Sequence, residues 1–292
     1  MNALTAHLAA LFTVTVWGIT FISTKILLAA LAPEEILFIR FFLGWLALWA
    51  MRPAFLSWQG QKAELDFALA GLSGVTLYFL LENIALEYTY AANVGVLVST
   101  APFFTALVDW LVFKGSRPGA NFLAGFVLAI AGIGLISFAD SQVAIRPIGD
   151  ILALLAAIAW AFYSCLTRRL SRLKLGSFVT TRRIFFYGLL LMLPVLAVTG
   201  FSLPTGNNLG AVYGNLLFLG LGASAICFAT WTFCLERLGA NLASAYIYLV
   251  PVITVLAAAW WLHEHISWLM LLGMVLVIPG IAISERRFTR AK

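Results

Sequence analysis

The chain has 292 residues, of which 63% are hydrophobic and only 10% charged, with a mean hydropathy of +1.00, whereas a soluble domain carries roughly 25% charged residues. That composition excludes an ordinary water-soluble enzyme and points to a chain that lives in lipid. The formal net charge of +6 does not imply nucleic acid as a partner, because no separate basic domain is left to bind it.

A membrane-spanning helix needs about 20 mostly apolar residues. Such runs fall near 5–31, 34–51, 65–86, 91–113, 119–138, 148–168, 178–199, 210–235, 240–262 and 266–284, which predicts an all-α membrane protein of about ten spans. Little chain remains between them. The longest gaps are 52–64, 171–177 and the stretch GFSLPTGNNLG at 200–210, too short for a water-exposed catalytic head. The start MNALTAHL lacks the basic segment of a signal peptide, so the first helix is expected to be retained. Cys165, Cys227 and Cys234 are odd in number and lie inside predicted spans, which argues against a disulfide framework.

Orientation follows from the basic residues. With the amino terminus placed inside, Arg146 is the sole one of the 18 Lys and Arg that falls in an outer connection, and only Lys25 and Arg40 fall deep within spans. All the others lie on the inner side, from Arg52 and Lys62 to the tail residues Arg286, Arg287, Arg290 and Lys292. Retained basic loops mark the cytoplasmic face, so both termini are expected in the cytoplasm.

The sequence is also internally duplicated. LEYTYAANVGVLVSTAPFFTALVDWLVF at 86–113 aligns with LERLGANLASAYIYLVPVITVLAAAWWL at 235–262, setting Pro102 against Pro251 and Thr105 against Thr254. Further on, Gly125 meets Gly273 and Gly132 meets Gly280; earlier, Trp17 meets Trp160, Lys25 meets Arg168 and Arg40 meets Arg183. Two halves are expected, 1–140 and 147–286, each of five helices. An odd number of helices per half forces the second copy to enter the membrane from the opposite side. Inverted repeats of this kind are a hallmark of secondary transporters, whose halves exchange shapes around a midplane site. A duplicated structural membrane protein is the alternative.

Trp17-Gly18, Phe21, Lys25, Pro33 and Arg40 in the first half, and Pro251, Glu264, Gly273 and Gly280 in the second, resemble the pattern of the EamA family of the drug/metabolite transporter superfamily, over essentially the whole chain. Lys114-Gly115 stand in the first half where Glu264 stands in the second, a departure from the family pattern. The resemblance is nearest to bacterial aromatic amino acid exporters and implies an inner-membrane transporter without cofactor, its partners being a small-molecule substrate and the lipid bilayer. The sequence leaves the oligomeric state open, a monomer being compatible with such a fold.

Intramembrane charges are functional candidates with a partner to be named. Lys25 lies about four residues below the outer end of the first helix and Arg40 about six below that of the second, roughly 6–9 Å of depth. Glu82 lies at similar depth and is the expected partner of one of them. Two roles stand for the cations: anchoring a helix by snorkelling or carbonyl contact, or lining an outer vestibule that attracts a carboxylate. Paired with a cation, Glu82 stays charged; facing a cavity alone, it becomes a candidate for proton coupling. Asp109, near Lys114, reads as an interfacial anchor.

Trp45, Trp49, Trp58, Trp260, Trp261 and Trp268 sit near helix ends and read as interfacial belt residues. Deeper, Trp17, Thr20, Phe21 and Thr24 share one face of the first helix, and Trp160, Tyr163 and Ser164 share the repeat-related face of the sixth. Tyr78, Glu82 and Asn83 on the third span, Trp231 on the eighth, Asn93 and Ser99 on the fourth, and Asn241, Ser244, Tyr246 and Tyr248 on the ninth complete the candidate substrate-binding set. Helix-to-helix hydrogen bonding and core packing are the competing roles for every one of them. Pro102 and Pro251 interrupt backbone hydrogen bonding in mid-helix and serve as hinges or expose carbonyls.

Other chemistries lack their residues. His7, His263 and His265 fall at helix ends, so no buried base serves a nucleophile; no Cys/His cluster has metal spacing, and no phosphate-binding glycine loop is present. Export of neutral and aromatic amino acids by alternating access is the expected function. Another small amphipathic metabolite or drug, or a passive channel, is the alternative.

Overall fold

The computed structural model describes residues 3–88, 91–138, 147–204, 209–261 and 267–285, and among these every regular element is helical. Helices are the expected solution in lipid, where a spanning segment must satisfy its backbone N–H and C=O groups internally. In chain order they are α1 (Ala3–Leu27), α2 (Pro33–Met51), α3 (Gln61–Tyr88), α4 (Ala91–Val98), α5 (Ala101–Leu111), α6 (Ala120–Phe138), α7 (Pro147–Leu170), α8 (Ser177–Thr199), α9 (Leu209–Leu238), α10 (Ala240–Ala245), α11 (Leu249–Trp261) and α12 (Trp268–Glu285). Six stretches are long and apolar enough to cross a membrane by length and composition: Leu4–Leu27, Gln61–Tyr88, Pro147–Leu173, Ser177–Thr199, Leu209–Leu238 and Ala240–Ala257. Shorter apolar helices run over Ala101–Leu111, Ala120–Leu135 and Leu271–Gly280.

Two boundaries differ from expectation. α1 stops at Leu27, and a turn rather than helix leads to Pro33, which sits in the first turn of α2 where its missing N–H costs nothing. α3 begins earlier, at Gln61, because Glu64 is not a loop residue. Its carboxylate accepts hydrogen bonds from Arg183 (2.9 and 3.1 Å) and from the Tyr187 hydroxyl (2.7 Å), so a charge that hydropathy reads as a helix boundary is neutralised by α8.

The duplication is visible as matching irregularities. α3 contains a π-helical stretch at Leu72–Leu77 and α9 contains one at Phe218–Ile226, overlapping in repeat register. Chain breaks follow the same rule: a turn at Ser99 and Thr100 parts α4 from α5 ahead of Pro102, and a 3-10 turn at Tyr246–Tyr248 parts α10 from α11 ahead of Pro251. Small residues set the first pair. A β-carbon on Gly71 would stand 2.6 Å from the Gly188 nitrogen, and one on Gly220 would stand 2.7 Å from Leu43 Cβ, so both stretches lie where a neighbouring helix comes closest.

The core is an aromatic mass drawn from both halves. Phe228 of α9 lies within ring contact of Trp17, Phe41, Phe79, Trp160, Tyr163 and Phe185, at 4.8 to 5.9 Å among the rings of this group that meet. α6 and α12 pack on each other through Gly132, Gly273 and Gly280 and form a separate small cluster with Tyr248 and Val252. Outward-facing positions are apolar, as Val127 (64% exposed), Val198 (87%) and Val275 (65%) illustrate. That is the pattern of a lipid-facing surface rather than of a soluble monomer.

Candidate functional site

At the centre of the aromatic core, α1, α2, α3, α7 and the broken α4–α5 and α10–α11 helices leave a cavity of about 40 Å3. Trp17, Thr20 and Phe21 of α1 line it, facing Tyr78, Phe79 and Glu82 of α3 and Trp160 of α7. Ser99 and Ala101 flank it from the break between α4 and α5, and Ile247 and Val250 from the break between α10 and α11. The two chain breaks thus meet at one place. Trp17 and Trp160, related by the repeat, stand edge to face at 5.2 Å, and Tyr78 stands 4.8 Å from Trp160. A space this size holds water-scale groups, whereas ligand pockets run to roughly 300–1,000 Å3, so admitting an organic substrate requires the helices to part.

Arg40 also lines this cavity and is 2% exposed. Its Nε donates to Ser224 Oγ at 3.1 Å on the π-helical stretch of α9, and its guanidinium lies over the Phe79 ring at 4.4 Å from the centroid. Arg40 Nη2 and Glu82 Oε2 are buried and make no hydrogen bond among the described residues. The opposite charges attract one another, but among the described residues no N–O approach within 4 Å joins them. Lys25, the other cation within a span, is exposed and donates to the Leu86 carbonyl at 3.4 Å. The two cations therefore have different jobs: Lys25 contacts a backbone carbonyl of α3, and Arg40 faces the cavity.

The remaining candidate residues are placed elsewhere. Thr24 is buried beyond the cavity, and Asn83 donates to the Pro33 carbonyl at 3.1 Å, tying α3 to the start of α2. Tyr163, Ser164 and Trp231 are fully buried behind the lining, with Trp231 5.1 Å from Trp17. Ser244 donates to Thr105 Oγ1 at 3.4 Å, Tyr246 shares a 2.6 Å hydrogen bond with His7, and Tyr248 packs in the α6–α12 cluster. The side chain of Asn93 lies outside the described residues. The candidate substrate-binding set lacks Arg40, for which lining a vestibule stood as one of two roles on the strength of its intramembrane charge; Phe79, Val98, Ile247 and Val250 are apolar and carried no signal.

A second cavity, of about 580 Å3, opens at one end of the molecule between Asp109, Lys114, Cys165, Arg168, Arg169 and Arg172. Asp109 is buried and tied to neighbouring helices. It accepts from Arg168 at 3.3 Å and from Asn241 Nδ2 at 3.1 Å, which joins α5 to α7 and α10. Ion pairs Arg169–Asp66 (2.7 Å) and Arg183–Glu64 (2.9 Å) lie toward the same basic end. At the opposite end, Glu35 accepts from the Ala32 N–H at 2.9 Å and from the Ser202 N–H and hydroxyl at 2.7 Å each.

Among proteins of known sequence, the chain is 30% identical to an uncharacterized transporter of Archaeoglobus fulgidus over 98% of its own length and 99% of the relative's. It is 30% identical to a probable terminal-alkyne amino-acid exporter of Streptantibioticus cattleyicolor, over 75% of this chain and 72% of that one. A crystal structure of a protein 20% identical in sequence covers 100% of both chains with a TM-score of 0.77, which shows the shared fold. The EamA-like transporter family matches residues 4–138 and again 147–285. A duplicated, all-helical chain with aligned irregularities in its two halves and one cavity where those irregularities meet belongs to the EamA-like transporter family.

Proposed function

We propose that this chain is a secondary transporter of the bacterial inner membrane that exports neutral and aromatic amino acids by alternating access. In this reading ten spans form two inverted five-helix repeats, 1–140 and 147–286, with both termini and the basic end in the cytoplasm, and the halves trade inward- and outward-open shapes. The observation that carries it is the convergence of Trp17, Tyr78 and Trp160 on one cavity between the repeat-related breaks. Aromatic rings add about 0.5–1.5 kcal/mol per ring contact beyond area burial, which favours substrates with an aromatic or apolar side chain. One relative's description as an amino-acid exporter supports the substrate class. The central space of about 40 Å3 supports a carrier rather than a passive channel, since a channel needs a continuous aqueous path.

Purified protein in proteoliposomes tests the reading by counterflow of labelled Phe, Trp, Met and Thr. Saturable exchange with Phe and Trp preferred is the expected result. Silence toward all four assigns the chain to another amphipathic metabolite, and a steady unsaturable flux makes it a channel.

A further inference from the structure

Arg40 and Glu82 are opposite charges, each nine-tenths or more buried (2% and 6% exposed), on the wall of the same aromatic cavity. Buried ions in a low-dielectric interior are stable when paired and fully hydrogen-bonded. Among the described residues these two are neither ion-paired nor saturated: Nη2 of the guanidinium and Oε2 of the carboxylate have no partner there. Three other polar members of the lining are already bonded, while the Trp160 indole N–H is buried without a partner among the described residues. Thr20 Oγ1 donates to the Trp17 carbonyl at 2.7 Å, Ser99 Oγ to the Gly95 carbonyl at 2.6 Å, and the Trp17 indole to the Ala223 carbonyl at 3.0 Å. Free charged bonding capacity at the wall thus lies at one cation and one anion, of zero net charge together, beside the neutral Trp160 N–H.

A ligand that satisfies both must carry an anion and a cation close together and be neutral overall. We infer that Arg40 and Glu82 form a dipolar clamp for the head group of a zwitterionic α-amino acid, Arg40 receiving the carboxylate and Glu82 the ammonium, with the side chain against Trp17, Tyr78 and Trp160. The inference rests on the proposed amino-acid export and narrows it, because it requires both head-group charges where aromatic contact alone would require neither. Ser224 fixes the guanidinium through Nε and leaves the Nη face for the ligand. The π-helical stretch of α9 supplies that anchor, and the one in α3 leads directly into Tyr78 and, one turn on, Glu82.

Counterflow of labelled Phe in proteoliposomes separates the possibilities, with phenethylamine (no carboxylate) and 3-phenylpropionate (no ammonium) as competitors. A site built to bond a substrate group rejects an analogue lacking it strongly, so each analogue is expected to compete at least about 100-fold more weakly than Phe. In Glu82→Gln protein the gap between Phe and 3-phenylpropionate should shrink to below about 10-fold while phenethylamine stays excluded. Arg40→Gln should do the converse. The wild-type competition alone is decisive if the variants fold poorly: analogues that compete as well as Phe overturn the clamp while leaving amino-acid export intact. An unchanged analogue ranking in active Glu82→Gln protein overturns it equally. No exchange of any amino acid removes both this inference and the reading beneath it.

Discussion

Asp109 links the first half of the chain to two helices of the second, through Arg168 on α7 and Asn241 on α10. Asp109→Asn keeps the shape and removes the charge. The Asp109 side chain is 7% exposed but Arg168 is 45% exposed, so the freed guanidinium turns to water and the full cost of an orphaned buried ion does not apply. Exposed pairs contribute about 0–1 kcal/mol and hydrogen bonds to charged groups about 1.5–3 kcal/mol; a half-exposed clasp of 3.1 to 3.3 Å contacts falls near 1–2 kcal/mol on these scales. That is a shift of about 5–30-fold toward the state in which α5 parts from α7 and α10. A native reporter lies in the same cavity: Cys165 is 3% exposed, and its Sγ lies 3.8 Å from the Thr105 carbonyl. With Cys227 and Cys234 replaced by Ala, maleimide labelling of Cys165 in Asp109→Asn protein should therefore accelerate about 5–30-fold. Arg172→Gln, which alters the same wall without breaking an ion pair among the described residues, should leave the rate unchanged. Equal rates for wild type and Asp109→Asn would show that the clasp does not hold this end closed, and labelling of Cys227 and Cys234 in the otherwise native variant would show general loosening instead.

Trp160→Ala should weaken transport of Phe relative to Thr by about 2–13-fold, the equivalent of one aromatic contact, whereas Trp268→Ala, at a ring 79% exposed, should leave the Phe-to-Thr ratio unchanged; equal losses for both substrates would mean that Trp160 only packs. Gly280→Ala sets a β-carbon 2.8 Å from the Ala129 nitrogen and 2.9 Å from the Gly125 carbonyl, backbone atoms that cannot swing aside, so thermal unfolding in detergent should report about 1–3 kcal/mol of destabilisation. Gly214→Ala, with no atom within 4 Å, should cost far less and serves as the control. For topology, a membrane-impermeant maleimide applied to intact cells should label Leu203→Cys, at a position 65% exposed, and spare Arg172→Cys; the reverse pattern would invert the assigned orientation.

The linear sequence determined the class of fold, the duplication and the division of charge between the two ends. Lipid leaves a spanning chain little choice but to close its hydrogen bonds within helices, and apolar runs of the required length, Pro102 matched to Pro251, and basic connections on alternate sides are all properties of order along the chain. Depth in the membrane is likewise a count of residues, which is why Lys25, Arg40 and Glu82 stood out before any contact was known. The direction in which each side chain points was decided only by the tertiary structure. These helices are apolar nearly all round, so hydrophobic periodicity does not say which face meets a neighbour. Lys25 and Arg40 look alike as cations at similar depth, but α2 packs against the π-helical stretch of α9 and turns Arg40 onto Ser224 and the cavity, while Lys25 on α1 meets a backbone carbonyl. Trp231 and Tyr163, as deep as Trp160, are walled off behind it. Asp109 finds its partners 59 and 132 residues away, a distance that no local pattern spans and only the packing of one half against the other closes.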